Sequence, residues 1–441
     1  MNNKIYHKGL AAGAVLVLMP TGICYANSQS ESAGFLEDSH LNLLSRNHYW
    51  HQTGDLGTQR DWTQGEMLDF NSGFTQGVVG FGIDAFAYGA IKLDGSGKRT
   101  GSVTLPVRDN GQPADSYSKA GGSIKVQLSN TTLRYGDLQP KVPVFATGSS
   151  KLLNQTATGW MLDSGELKDI VLSAGLFTSG TSYLSTNRSG DLGLAFARVS
   201  TPQVGYIGGT YALSDQTSIS FYGSRYENLM DQYYTNINQA IALSESQSLT
   251  LDFNLYRSLN SGEAKAGDIN VTAASISAAL ATGPHTFALA FQRNDGDQPH
   301  DYAAIGSVSP GVAAGVFSDG LYLANAAELS DFNAPNEQSV QLRYELDMQS
   351  FGVPGLTLTV KHIRGTDIDG SKVNADSAYF GLYGKSEEER ETDLIAQYII
   401  PSGPAKALTT KLIQSWHSGD ISTGGRITRT RLIISYPFEF F

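Results

Sequence analysis

The chain is 441 residues long and only 40% hydrophobic, yet it carries 48 glycines, 21 tyrosines and 19 phenylalanines, with a net charge of −11. An acidic chain is a poor nucleic-acid binder, and beyond the first residues no run approaches the ~20 apolar residues of a membrane helix. Abundant glycine and aromatic residues with little bulk hydrophobicity suit many short amphipathic strands, because only every second strand residue need be apolar.

Residues 1–26 read as a signal peptide. Lys4 and Lys8 give a positive start, Leu10 to Met19 is an apolar run, and Cys24-Tyr25-Ala26 offers small residues at the cleavage spacing. Ile23 stands where a lipoprotein signal wants a small residue before the cysteine. Cleavage after Ala26 removes the only cysteine and the two lysines, leaving a chain without thiol chemistry and moving the charge from −11 to −13. Residues 27–441 show no composition shift that would mark a second domain.

From there the chain alternates in polarity, and alternate strand residues point to opposite faces. In HLNLLSRNHYW, Arg46 shares parity with Asn42 and His48. In SIKVQLS, Ile124, Val126 and Leu128 oppose Ser123, Lys125, Gln127 and Ser129. In TTLRYG, Arg134 opposes Leu133 and Tyr135. LTLDFNLY, SVQLRYELDM, LTLTVKHIRG and LTTKLIQSW repeat the pattern, with Arg343, Lys361 and Lys411 on the polar parity. The chain ends RTRLIISYPFEFF. There Leu432, Ile434, Tyr436, Phe438 and Phe440 form an apolar parity, and Arg429, Arg431, Ser435 and Glu439 form the other. Runs of ~8–11 residues match a tilted membrane strand. The reading is therefore an all-β, transmembrane, antiparallel up-and-down β-barrel, of roughly 16–18 strands by spacing. A barrel also brings its first and last strands together, so Arg46 becomes a neighbour of Arg429 and Arg431.

Two connections are too long for turns. One follows Tyr135 and carries Pro140 and Pro143, which deny it a ladder role. The other runs from about Gly296 to Pro335 and is rich in Gly, Ser, Pro and Ala. Long loops of this kind are functional or disordered, and in a barrel they fold inward and narrow the lumen.

Several motifs carry less than they suggest. GSGKRT at Gly95 has Lys92 and Arg99 where a phosphate loop needs Gly and Ser or Thr. GFGIDA at Gly80 has dinucleotide spacing but sits in a strand-like run. DIDG at Asp367 lacks calcium-loop spacing. Glu387 to Glu391, EEERE, reads as a solvated rim, with a cation bridge to lipopolysaccharide as the functional alternative. The eight histidines form no metal spacing, and no cofactor motif or Ser/His/Asp signature is present. The cations of the polar parity are the sharper feature. Each can be neutralised by a carboxylate of the same face, such as Glu345, Asp347, Glu391, Asp393 or Glu439. As a set they would draw anions into a pore, and arginine fits a carboxylate bidentately.

At these residues the chain resembles the OprD-type porins of Gram-negative outer membranes. The resemblance runs through FLEDSHLNLLSRNHYW, WTQGEMLDFNSGFTQGVVGFGIDA, LRYGDLQPKVPVF with KLLNQT, DFNAPNEQSVQLRYELD, FGVPGLTLTVKHIRG, EERETDL and RLIISYP. It implies an 18-stranded barrel, monomeric or at most weakly oligomeric, with inward-folded constriction loops. It implies passive uptake of small carboxylate-bearing solutes along a basic ladder, carried here to Arg46, Arg134, Arg343, Lys361, Lys411, Arg429 and Arg431. Acidic eyelet candidates are Asp163, Asp319, Glu328 and Asp331. Phe441 would be the terminal aromatic read by the barrel-assembly machinery, and lipid and lipopolysaccharide the surroundings. His51 and Gln52, and Leu176 in LSAGLFTSG, stand where relatives carry basic residues, which favours monocyclic aromatic acids of the benzoate type. The alternatives are basic amino acids or small peptides, a plugged non-conducting barrel that binds or supports, and a barrel enzyme.

Overall fold

The computed structural model describes residues 28–99, 101–306 and 317–441. The signal-peptide segment and its cleavage site lie outside the described residues. Eighteen strands form one antiparallel sheet. They are β1 His40–Gly54, β2 Gln59–Asn71, β3 Val79–Gly95, β4 Ser116–Leu128, β5 Thr131–Leu138, β6 Thr156–Ser164, β7 Ile170–Thr181, β8 Val204–Ser214 and β9 Thr217–Tyr226. The second half comprises β10 Met230–Ser244, β11 Gln247–Asn260, β12 Asn270–Thr282, β13 His285–Asp295, β14 Gln338–Asp347, β15 Leu356–Asp369, β16 Lys385–Ile399, β17 Thr409–Gly419 and β18 Ile427–Glu439. Each strand pairs with the next in sequence, and β18 pairs with β1 from Asn42↔Glu439 to Gly54↔Ile427. The cylinder is therefore closed and has no open edge.

Parity decides which side each residue takes. Ile124, Leu133, Tyr135, Leu342, Leu412 and Trp416 are all more than a third exposed and point outward. Residues of the opposite parity, such as Lys125, Gln127, Gln341, Ser415 and Asn254, are buried and point into the lumen. Outward apolar and inward polar is the pattern that lipid demands. GFGIDA lies inside β3, and GSGKRT straddles the end of β3 and a 3-10 turn, so neither forms a nucleotide loop.

The two ends of the barrel differ. One end is closed by short turns, several of only two residues, such as 129–130, 215–216, 245–246 and 283–284. Gly283 takes φ +55° in such a turn, a left-handed conformation that glycine adopts at no steric cost. Short turns mark the periplasmic end. At the other end the strands are joined by longer segments, whose described residues include 139–155, 182–203, 296–306, 317–337 and 370–384. They fold into the lumen and build the largest hydrophobic core among the described residues. Phe145, Phe177, Leu192, Tyr226, Tyr256, Ile305, Leu323 and Tyr379 meet there. Tyr226 and Tyr256 donate hydroxyl bonds to Val144 O at 2.8 Å and Pro143 O at 3.2 Å, so wall tyrosines hold the proline-bearing loop. That loop does contain a two-residue ladder, Lys141–Val142 with Phe145–Ala146, which turns around Pro143. Gly65 on β2 leaves room for the same loop: a Cβ there would lie 3.0 Å from Leu152.

The chain end does not fray, because Leu41 N–H donates to Phe441 O at 3.1 Å and Phe440 N–H to Leu41 O at 2.9 Å. Deleting Phe441 removes one seam bond and the terminal ring. The expected result is several-fold less assembled barrel in outer membranes, read by heat-modifiable gel mobility. Channels that do assemble are expected to keep their ion selectivity, because the lumen is untouched.

Candidate functional site

The closing seam puts the inward residues of β1 beside those of β18. Trp50 lies opposite Arg431 and Gln52 opposite Arg429. Trp50 is 2% exposed. Its ring lies 4.2 Å from Arg429 Cζ, 5.6 Å from Arg431 Cζ and 5.5 Å from Lys151 Nζ. Each such contact contributes ~0.5–2 kcal/mol. One indole thus gathers three cations that would otherwise repel one another. Arg46 lies deeper, level with Ser435, and donates to Ser149 O at 3.1 Å and to Lys151 O. It therefore ties the early loop to the wall as well as charging it.

The late loop brings the acids. Glu328 forms an ion pair with Arg431, and its carbonyl accepts from Arg429 Nη1 at 2.7 Å. Asp319 accepts from Ser149 N–H at 2.7 Å, Ser150 Oγ at 2.9 Å and the Tyr183 hydroxyl at 2.9 Å. Asp331 accepts from the Tyr302 hydroxyl at 2.7 Å, and burial pushes its carboxyl above the ordinary range. Asp319, Glu328 and Asp331 thus meet Arg429, Arg431 and Lys151 inside the barrel. The tip of this loop is held by one carboxylate: Glu391 of β16 accepts the backbone N–H groups of Glu328, Leu329 and Ser330, each at 2.9 Å. Neighbouring Glu389 accepts the Ser330 hydroxyl at 2.9 Å and contacts His417 Nε2 at 2.7 Å. The solvated-rim reading of EEERE is corrected here. Glu389 and Glu391 are buried and inward, because strand parity splits the run between two faces.

A second group of cations lies closer to the short turns. Arg343, Lys361 and Lys411 line a cavity of about 1170 Å³, and Tyr206, Tyr222 and Tyr234 line its far side with Tyr322 of the late loop. Arg343 and Lys361 face each other in register. Lys361 is paired with Asp393 at 3.2 Å, whereas Lys411 has no ion pair among the described residues. Arg134 stands apart on β5, paired with Asp163 at 2.7 Å. The seven proposed ladder residues thus form two clusters and one separate ion pair, and not one continuous file.

One expectation about the wall is overturned. Leu176 pairs with Trp160 and Gly205 and is 42% exposed on the outward face. A basic residue there would point at lipid, so Leu176 removes no charge from the lumen. His51 also lies on the outward parity, opposite Thr430, and only Gln52 faces inward, accepting from Arg429 Nε at 2.8 Å. Sequence reasoning missed Lys151 and Trp50. Trp50 shares parity with Arg46 and His48 and was legible on that ground. Lys151 sits in an irregular loop, where parity says nothing.

Lys151 makes a test possible. Burial, then the nearby charges of Arg431 and Arg429, push its ammonium down to about 7, against the opposing pull of Asp319 and Asp331. It is charged below that value and neutral above it. Raising the pH from about 6 to about 8 is expected to shift the ion preference of the lumen away from anions. Lys151→Met is expected to flatten that dependence, as read by reversal potentials in a salt gradient.

Residues 33–440 match a family model described as outer membrane porin, OprD family. Porin D of Pseudomonas aeruginosa is 44% identical over 435 residues, spanning 98% of this chain and 97% of that protein. The crystal structure of Pseudomonas aeruginosa OprD superposes with a TM-score of 0.82 at 42% identity, over 95% of this chain and 99% of that one. Pseudomonas aeruginosa OpdK, crystallised with vanillate, superposes with a TM-score of 0.82 at 27% identity, over 92% and 100%.

Proposed function

Because this chain belongs to the OprD family of outer membrane porins, and is a channel for substrate-specific uptake rather than an enzyme, we propose that its preferred solutes are small molecules bearing a carboxylate. The observation that carries this reading is the pair of inward cation clusters. Arg429, Arg431 and Lys151 surround Trp50, and Arg343, Lys361 and Lys411 line the cavity beneath. A carboxylate leaving the first group meets the second before it reaches the periplasm. Passage needs binding favourable enough to enter and weak enough to leave. Partial neutralisation supports this, since Glu328 and Asp393 already share the charge of Arg431 and Lys361.

The facing wall supports a reading of the solute body. Tyr206, Tyr222, Tyr234 and Tyr322 present ring faces and hydroxyls across the cavity from the cations. Such a slot suits a flat ring carrying one acid group, which keeps benzoate-type acids as the favoured class although Leu176 no longer argues for them. Vanillate bound to the related OpdK is itself an aromatic acid. A second reading rests on Asp319 and Asp331, which stand within electrostatic reach of Lys151. Facing charges of both signs suit solutes with an ammonium as well as a carboxylate, such as basic amino acids. Liposome swelling with benzoate, arginine and citrate decides among these. Benzoate is expected to enter fastest. Swelling with arginine alone overturns the aromatic reading, and no swelling with any solute overturns the conducting channel.

A further inference from the structure

The outward face of the barrel carries its arginines at one end. Among the described strands, Arg60, Arg225, Arg257, Arg293, Arg364 and Arg390 take outward parity, and each lies toward the long-loop end of its strand. That end is opposite the short periplasmic turns, so these side chains stand at the outer leaflet. Four of them have an acid. Arg60 pairs with Asp94, Arg225 with Asp231 at 2.7 Å, Arg293 with Asp295 at 3.7 Å and Arg364 with Glu388 at 3.0 Å. Arg257 donates to Thr272 Oγ1 at 3.1 Å and to Asn270 Oδ1 at 2.5 Å. Arg390 has no ion pair among the described residues.

Of these six, only Arg364 and Arg390 lie directly opposite each other, on β15 and β16. Like charges opposed on one face destabilise a sheet, and an anion held between them removes the repulsion. The barrel's own acids stand on the watery side of the pair. Glu388 lies one outward position nearer the long loop, and its N–H donates to Asp420 Oδ2 at 3.0 Å. One outward position nearer the membrane centre is neutral Thr392, and Ser418 of β17 lies opposite Arg390. Glu388 therefore serves Arg364 and leaves Arg390 to find its counter-ion in the surroundings.

Below the pair the face turns to hydrocarbon. Val340 lies opposite Arg364 and is 47% exposed, and Leu342 lies beneath it, opposite His362. Trp416 lies opposite Thr392 with its ring outward. Outward tryptophan marks the membrane interface, so the two guanidinium groups stand at headgroup level. Their aliphatic stems cross the last of the apolar band while the charged ends reach out of it.

The outer leaflet of a Gram-negative outer membrane is lipopolysaccharide, whose acylated lipid A disaccharide carries phosphates. Guanidinium groups meet phosphate oxygens bidentately. We propose that Arg364 and Arg390 bind a lipid A phosphate directly, with Ser418 as a neutral donor and with the acyl chains lying over Val340, Leu342 and Trp416. No metal bridge is needed, because the arginines supply the charge. The site also divides the run EEERE by parity. Glu389 and Glu391 hold the late loop from inside the barrel, and Arg390 between them holds lipid from outside.

Native mass spectrometry of the purified barrel with diphosphoryl lipid A, in detergent containing EDTA, tests the site. The barrel is expected to retain lipid A. Arg364→Gln with Arg390→Gln is expected to lower that retention at least about fivefold, because charge-assisted contacts are lost. Arg225→Gln, on distant β9, is expected to leave it unchanged. Heat-modifiable mobility reports assembly, and if the double variant fails to assemble, Arg390→Gln carries the test alone, since it removes no ion pair within the barrel. Dephosphorylated lipid A and phosphatidylglycerol are expected to be held no better than lipid A is held by the double variant. No retention in EDTA, including retention that appears only when magnesium is supplied, would overturn the direct contact. Undiminished retention by an assembled variant, equal loss in Arg225→Gln, displacement by inorganic phosphate, or equal retention of phosphatidylglycerol would each overturn the proposal as well.

Discussion

Replacing Arg429 and Arg431 together by glutamate is expected to shift the channel's ion preference away from anions and toward cations. Both side chains lie against Trp50 on the lumen face. The change reverses four units of charge at one level of the pore. A unit charge about 4 Å from a passing ion is worth ~1 kcal/mol in bulk water and ~4 kcal/mol at an effective dielectric near 20. Even the watery limit, reversed in sign at two sites, moves the permeability ratio by roughly tenfold or more, since ~1.4 kcal/mol is a factor of ten. Loss of the Glu328 pair does not by itself release the late loop, because Glu391 still accepts three backbone N–H groups from its tip. Arg429→Gln with Arg431→Gln supplies the control and is expected to fall between the two. Reversal potentials in a planar bilayer read the result, and an unchanged ion preference in the glutamate pair would remove the ladder from the mechanism.

Excising residues 318–332 and bridging the gap with a short glycine-serine linker is expected to raise single-channel conductance several-fold. These residues fill the lumen. Leu321, Tyr322 and Leu323 pack on the inner core, and Asp319 and Glu328 cross to the early loop and to the wall. In a dry interior, leaving Arg431 and Glu391 without partners would cost about 3–5 kcal/mol each. Here the excision admits water, which hydrates both, so the barrel is expected to remain assembled. The gain in conductance should come with a loss of discrimination between benzoate and citrate. Conductance that stays at the wild-type value would mean that the late loop does not form the constriction.

The barrel was legible because a strand's period is two. Polarity alternation in LTLDFNLY or SVQLRYELDM fixes both the strand and the side each residue faces, and the observed exposures of Leu342 and Asn254 follow it. Spacing alone left the strand number between roughly 16 and 18; the resemblance to the porin family implied 18, the number found. The wall cations were legible for the same reason, since Arg429, Arg431, Lys361 and Lys411 all sit on inward parity. What alternation cannot supply is depth and azimuth. Arg134 therefore read as one of a ladder, although it stands four strands from Arg46 and pairs with Asp163. Leu176 read as a missing wall charge because a motif comparison carries no parity. Loops were the least legible part. Lys151, and the three N–H groups that Glu391 gathers, depend on backbone paths that no short-range pattern encodes.

The four tryptophans are distributed unevenly between two media. Trp62, Trp160 and Trp416 are 45%, 46% and 42% exposed on the outward face, whereas Trp50 is 2% exposed among the lumen cations. A quencher confined to the acyl chains would therefore silence three emitters and spare the fourth. The remaining fluorescence would come from the ring that Arg429 and Lys151 overlie. An acid that draws those cations away changes the field on that indole. The protein thus contains its own optical reporter of pore occupancy, with no label added to the passage it monitors.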